Sequence, residues 1–494
     1  MTPFADRGGR ARGVGHRGAG GALEPQAALA AAAAEAGVQA WLVGGAVRDR
    51  LLGRATIDLD AIVTGDPATL ARAVGRRANG HAFELSEAFG GWRVSARDRR
   101  WQLDLLGLAG ARVEEDLARR DLTINAIAQP LLAGGEIGEA VDPFGGIADL
   151  RAGRLRMVSE RSFRDDPLRV LRLARLAAQL GFEADPATLA RARDSAGDLA
   201  TVAGERTFAE LRALVCAPQP LAGLRLMDKL DATAAVLPEL TSLHGVEQSR
   251  YHHLDVSDHT RATLAETIEL VDDPARLGLD AQSTDRLAAA LARPLANELT
   301  RGQALRFGAL LHDVAKSRTR AVSEEGRVSF WGHDELGAEM AREILGRLRA
   351  SERLQAYVAA LTRSHLRLGF LVHSAPLSRR ELYDYLTACA PVAVDVTVLS
   401  VADRLATRGD NAGPAIEAHL RLAAEVLPAA LAFEADPPRP PVRGDELAAA
   451  LGIAPGPRLG ELLAQLRAAA FAGDVSDRDE AVALARRLLA EGDR

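Results

Sequence analysis

The chain has 494 residues, 48% of them apolar and 26% charged, with a formal net charge of −6. That balance belongs to a globular protein of about three or four domains. Two cysteines, Cys216 and Cys389, exclude a disulfide scaffold and predict a reduced, cytoplasmic setting; no apolar run approaches about 18 residues, so no membrane span is expected, and an RNA-binding surface must be local rather than global.

Residues 1–22 are rich in Gly and Arg, lack periodicity and are expected to be disordered. Residues 23–150 mix helical and strand patterns. Pro25 to Gly37 reads as an Ala-rich helix, Gln39–Val43 as a strand stopped by Gly44-Gly45, and Ala46–Leu52 as a helix ended by Gly53. Ile57–Val63 and Trp101–Leu105 alternate as strands do. Residues 151–243 read as a helical neck. Within it, 161–180 has apolar residues at helical spacing, and eight Arg stand against Glu160, Asp165 and Asp166 between Arg151 and Leu176. Residues 244–432 are helical and hold nine of the eleven histidines. A proline-rich linker over 433–443 precedes a helical tail, 444–494. The predicted class is α+β: an N-terminal α/β head followed by all-α neck, second and tail domains.

Asp58 and Asp60 stand two apart on a predicted strand, so they point to one face. Two neighbouring carboxylates repel unless a cation lies between them, and hard oxygen ligands suit Mg²⁺. Two-metal phosphoryl transfer needs such a pair. Upstream, a strand ending in Gly44-Gly45 and opening a helix lets backbone N–H groups approach a phosphate, and Arg48 adds a guanidinium one turn in.

Asp166, Arg169, Arg172 and Arg175 recur every third residue, a drifting stripe on a helix. The pairing edges of C and A each present an amino donor beside a ring-nitrogen acceptor, whereas G and U present the reverse. An Asp/Arg pair therefore suits C and A without a nucleic-acid template. Capping a helix at Pro167 is the competing role for Asp166, unless Asp165 takes it.

These residues carry a resemblance. LVGGAVRDRLLGRATIDLD resembles the opening motif of the class II nucleotidyltransferases, the tRNA CCA-adding enzymes and bacterial poly(A) polymerases. Arg119 to Ala126 is similar to their second motif, Asp142 to Gly146 with Asp149-Leu150 to their third, and Phe163 to Arg169 to their nucleotide-recognition motif. The resemblance implies a polymerase-beta-like head. In it Asp58 and Asp60 hold Mg²⁺, Gly45, Arg48 and Arg120 contact the incoming nucleotide, and Asp104 takes the place of a third carboxylate.

Further on, His259, His312-Asp313, His333, His365 and Asp403 form the ordered set His…His-Asp…His…His…Asp. Imidazole suits a borderline metal, and carboxylates complete an octahedron. The set resembles the HD-domain metal phosphohydrolases over about 250–410. It implies a divalent metal held by His259, His312, Asp313 and Asp403, extended by His333 and His365, in a domain that is either a phosphohydrolase or an RNA-binding remnant. A Gly- and Pro-containing turn at Pro455-Gly456-Pro457 looks like part of the tail domain of some CCA-adding enzymes.

Together the resemblances imply a template-independent tRNA nucleotidyltransferase that uses CTP and ATP. Two alternatives stay open: a poly(A) polymerase or an enzyme adding only part of CCA, and an HD phosphohydrolase whose head merely binds nucleotide.

Overall fold

A computed structural model of the chain describes residues 23–86 and 90–492; the expected disordered tail lies outside the described residues. The chain divides into two compact units. The first runs to Leu199 and includes Lys229–Ala232, and the second comprises Ala200–Asp228 and the chain from Thr233 onward. The division falls inside the segment read as one neck.

The first unit is built on six strands: β1 (Ala40–Val43), β2 (Asp58–Val63), β3 (Gly80–Ser86), β4 (Gly91–Ala96), β5 (Gln102–Gly107) and β6 (Ala128–Pro130). They lie in the order β3-β4-β5-β2-β1-β6, with β2 and β5 parallel and the other pairs antiparallel. Helix α1 (Pro25–Ala36) starts on Pro25 at its first turn and stops where Gly37 turns left-handed, φ +66°. Helix α2 (Gly45–Leu51) follows β1 directly. In α3 (Pro67–Arg77), Asp66 caps the first turn by accepting from Ala68 N and Thr69 N, and Leu70, Ala71 and Val74 are buried. Trp41, Val43, Ile62 and Ala128 on one sheet face pack with Val113 and Leu117 of α4 (Val113–Leu117). By the two-residue period of β2, this is the face that carries Asp58 and Asp60 toward the strand's start.

The segment 161–180 is not one helix. A short helix, α5 (Ser162–Asp165), ends at Asp166, which is extended (φ −149°, ψ 102°), and α6 (Arg169–Leu180) begins after Pro167-Leu168. The Pro167 ring clashes with a helical residue before it and pushes Asp166 out of the α region. The stripe of Arg169, Arg172 and Arg175 is helical, but Asp166 precedes it.

The second unit is helical. Helix α7 (Val256–Asp272) packs on α8 (Arg301–Leu311) and α11 (Ala393–Ala406), while α9 (His333–Arg347) packs on α10 (Glu352–Ser364). The core holds a buried ion network. Arg301 pairs with Asp395 and with Glu434 on α12 (Ala412–Ala435), and the Tyr357 hydroxyl donates to Asp395 at 2.9 Å. The last helices, α13 (Gly444–Leu451), α14 (Pro457–Ala472) and α15 (Arg478–Gly492), share a small core of their own around Leu447, Leu462, Leu466 and Ala485. Among the described residues no single helix is long and apolar enough to cross a membrane.

Candidate active site and metal centre

The pairing of β2 with β5 sets Asp60 opposite Asp104, and that of β4 with β5 sets Asp104 opposite Arg93. Asp58, Asp60 and Asp104 therefore share one face. Although Asp60 reaches solvent, desolvation among its neighbours and the nearby Asp104 carboxylate raise its pKa; the Arg120 and Arg172 charges oppose the shift. A carboxyl crowded in this way is the environment that a bound cation relieves. Asp104 is not free: Arg93 Nε and Nη2 donate to its two oxygens at 2.6 and 2.7 Å.

Gly44 lies beside this row with φ +67°. A Cβ there would come within 3.1 Å of Arg120 Nη1 and 3.2 Å of Asp60 Oδ2 and would push on both, while the positive φ itself favours glycine. Arg120 is braced by Asp116 at 3.1 Å and reaches toward Asp60. Arg48 is placed differently from the expectation of a free phosphate ligand. Its guanidinium is buried, forks onto Asp49 through Nε and Nη2 at 2.9 Å each, and donates from Nη1 to Asn125 at 2.9 Å.

That last bond opens a buried chain through the motifs. Asn125 donates to Asp121 at 3.0 Å, Leu122 N donates to the same carboxylate at 2.8 Å, and Arg172 Nε donates to its other oxygen at 2.8 Å. The network ties α2 to the second motif and to α6. Neither Asp121 nor Asn125 was assigned a role from sequence, although both stand within the quoted second motif. Burial alone would raise the Asp121 pKa, but the Arg172 charge and the Asn125 hydrogen bond outweigh it and hold the carboxyl well below its usual range. A depressed carboxylate stabilises the fold above its unfolded value, about pH 3.9, and the gain is lost as pH falls toward the folded value. Asp121→Asn is thus expected to cost about 2 kcal/mol at pH 7, with the deficit shrinking below about pH 4. Denaturant midpoints of both proteins across that range check it; a deficit that is constant with pH contradicts it.

Arg169 Nη2 donates to Arg119 O at 2.7 Å and its Nη1 to Ser162 O at 3.0 Å, so backbone carbonyls of the second motif and of α5 hold this arginine in place. Asp166 Oδ1 accepts from Leu168 N at 3.2 Å, a bond within the turn before α6, whose N-cap is Leu168 rather than Asp166. Arg175 donates to Gln179 at 2.7 Å, one turn further along α6. Asp142 accepts from Gly146 N and Ile147 N at 2.7 and 2.9 Å, and a Cβ on Gly146 would lie 2.1 Å from Thr123 O. The third motif thus braces the second through a contact that only glycine permits.

In the second unit five of the six ligand candidates stand at a helix end: His259 in the first turn of α7, His312 capping α8, His333 opening α9, His365 capping α10 and Asp403 in the last turn of α11; Asp313 follows in the turn after α8. His312, His333 and His365 donate from Nδ1 to the carbonyls of Ala309, Phe330 and Thr362 at 2.9, 2.7 and 2.6 Å. A carbonyl only accepts, so the proton is fixed on Nδ1 and Nε2 is left to bind metal. The Nε2 atoms converge on Asp313. His259 and His312 lie 3.6 and 3.1 Å from its Oδ2, and His333 and His365 lie 3.4 and 3.7 Å from its Oδ1. Asp403 approaches His259 at 3.0 Å.

Asp313 Oδ1, His259 Nε2 and His312 Nε2 are buried without a hydrogen-bond partner, and Asp313 Oδ2 meets only the Lys316 ammonium and imidazole nitrogens, an arrangement that is costly unless a cation satisfies it. The donor set therefore fits a divalent metal. It splits into two buried groups, His259–His312–Asp313 and Asp313–His333–His365, with Asp313 common to both. Burial would raise the Asp313 pKa, yet His312 and Lys316, whose Nζ lies 2.7 Å from Oδ2, hold it well below the usual range. Burial also pushes His365 down to about 4, which keeps it neutral and ready to ligate. Lys316 was missed as a site residue, though its position three after Asp313 was a readable signal.

Residues 40–156 match the poly A polymerase head domain, 181–243 the probable RNA and SrmB-binding site of polymerase A, and 286–408 the HD domain. The chain is 37% identical over 458 residues to the A-adding tRNA nucleotidyltransferase of Deinococcus radiodurans, covering 92% of this chain and 96% of that protein. It is 36% identical over 455 residues to the CC-adding tRNA nucleotidyltransferase of Thermus thermophilus, covering 90% and 92%. Among solved structures, a CCA-adding enzyme with ATP aligns over 94% of each chain with TM-score 0.62 and 21% identity. The Thermotoga maritima CCA-adding enzyme complexed with tRNA aligns over 94% of each with TM-score 0.58 and 20% identity, a likeness of fold. Similarity that runs almost end to end through two curated relatives places this chain in the class II nucleotidyltransferases, the family of tRNA nucleotidyltransferases and poly(A) polymerases.

Proposed function

We propose that this chain adds C and A residues to the 3′ end of tRNA, taking CTP and ATP and releasing pyrophosphate. The observation that carries the reading is the row of carboxylates on one sheet face, flanked by Arg120 and by α6 with its fixed arginines. Asp58 and Asp60 would hold Mg²⁺, which would supply charge neutralisation at the α-phosphate and a lowered pKa for the attacking 3′-hydroxyl. Arg120 faces the triphosphate, Gly44 and Gly45 let backbone N–H groups approach it, and Arg48 fixes the turn through Asp49 and Asn125. Asp166 and Arg169 read the base edge, with Arg172 and Arg175 continuing the basic stripe. The helical segment 151–243 and the tail 444–494 contact the tRNA body. A tRNA-maturing enzyme with free cysteines works in the cytoplasm.

The test uses tRNA ending at the discriminator base and tRNA ending in CC, each with CTP alone, ATP alone and both. Three additions to the first substrate support full CCA synthesis. Two additions, or extension of the CC-ending tRNA alone, assign partial activity of the kind named for the Thermus and Deinococcus relatives.

The buried Nε2 cluster supports a second reading, a metal-dependent phosphoester hydrolase in the second unit. Its ligands are His259, His312, Asp313 and Asp403, with His333 and His365. Changing His312 and Asp313 together to Ala is expected to strip divalent metal from this centre and to leave tRNA extension within a few-fold of the parent. Metal per chain, measured beside extension, checks it; unchanged metal content contradicts the ligand set.

A further inference from the structure

Arg93 has no place in the motifs, yet it is the residue most tightly joined to the carboxylate row. It sits on β4 opposite Asp104, as Asp60 sits opposite Asp104 on the other side. Its planar fork takes both Asp104 oxygens at 2.6 and 2.7 Å, a bidentate geometry that a lysine cannot reproduce. Both side chains are only partly exposed, 28% and 21%, so the pair is less screened than a surface bridge. The Arg93 charge also acts on Asp58 and Asp60.

We propose that Arg93 is a positioning residue for nucleotidyl transfer: by holding both oxygens of Asp104 it leaves Asp58 and Asp60 as the cation ligands and makes Asp104 a charged support behind them. This rests on the reading of Asp58 and Asp60 as metal ligands. The pair lowers the net charge of the row from −3 to −2. A row of −3 would hold a cation more tightly but repel an incoming triphosphate. Arg93 therefore sets a compromise between cation affinity and nucleotide affinity.

The experiment is Mn²⁺ titration of the full-length protein by electron paramagnetic resonance, without nucleotide. Each variant is measured with and without Asp58→Ala/Asp60→Ala, so that the head sites are read by difference from those of the second unit. Arg93→Gln is expected to tighten Mn²⁺ at the head on the order of fivefold, because a positive charge near a divalent cation is removed. The same variant should raise KM for CTP and ATP more than it lowers kcat. Asp104→Asn should weaken Mn²⁺ by a similar factor. Arg93→Gln/Asp104→Asn restores the charge of −2 and should return to about the parent affinity; Arg93→Lys keeps the charge but frees one Asp104 oxygen, so it should tighten Mn²⁺ by less than Arg93→Gln does. A double variant as weak as Asp104→Asn would make Asp104 a direct ligand and overturn the proposal, as would an unchanged affinity in Arg93→Gln. If the parent shows no site that Asp58→Ala/Asp60→Ala removes, the metal reading itself fails. Melting temperatures identify any variant that fails to fold, and the Arg93→Lys and Asp104→Asn proteins then carry the comparison.

Discussion

Asp58→Ala or Asp60→Ala is expected to reduce nucleotide addition on the order of a thousandfold or more. Each carboxylate lies on an open sheet face, and neither makes a side-chain hydrogen bond that supports the fold among the described contacts. Desolvation among its neighbours and the Asp104 carboxylate raise the Asp60 pKa, so its charge is held at a cost. Removing it should leave the melting temperature unchanged or slightly higher, the pattern of a residue kept for function at the expense of stability. Single-turnover extension of tRNA beside a thermal melt measures both. Near-parental addition by either variant contradicts the two-carboxylate assignment, and loss of addition together with a collapsed melt removes the argument from the site to the fold.

The second large effect is on base choice. If Asp166 accepts from the amino group of C or A, Asp166→Ala should lower discrimination against U and G by roughly one to two orders of magnitude, the worth of a charged hydrogen bond. The Leu168 N–H bond gives Asp166 a second role in the turn that leads into α6, so the same variant should lose about 1 kcal/mol of stability. Asp166→Asn separates the two roles. An asparagine oxygen still accepts from Leu168 N, but the neutral amide presents donors as well as an acceptor. It should melt like the parent and discriminate poorly. Arg169→Ala should weaken CTP and ATP use together, since both ring nitrogens lose one donor. The measurement is kcat/KM for all four nucleoside triphosphates. An Asp166→Asn protein that melts normally and keeps its preference returns Asp166 to its role in the turn alone.

Sequence reached furthest where chemistry follows a local period. Asp58 and Asp60 are two apart on a strand, so their common face needed no tertiary information, and the spaced His and Asp residues of the second unit were legible as an ordered set. The Asp166 stripe failed because helical spacing was counted across Pro167, whose effect on the preceding residue was itself local. Strands β3 and β4 were not predicted, although Trp92, Val94 and Ala96 alternate with Arg93 and Ser95 along β4 as a half-buried strand should. Without β4 there was no partner for Asp104, so the Arg93 fork was out of reach. The division of the second-unit ligands between the two oxygens of Asp313 depends on where five helix ends meet, which no spacing encodes. Arg48 was assigned to phosphate because it stands one turn after Gly-Gly; its burial against Asn125, 77 residues later, is a long-range fact.

The most direct test of the account is competition among all four nucleotides. Full-length protein, Mg²⁺ and tRNA ending at the discriminator base are incubated with equal concentrations of ATP, CTP, GTP and UTP, and the 3′ ends are sequenced. The account predicts ends carrying C and A in the order of the CCA terminus, with growth stopping there and U and G absent, as expected if Asp166 and Arg169 choose the base without a template. Ends carrying U or G as often as C or A, or tails of A that lengthen with time, would contradict it.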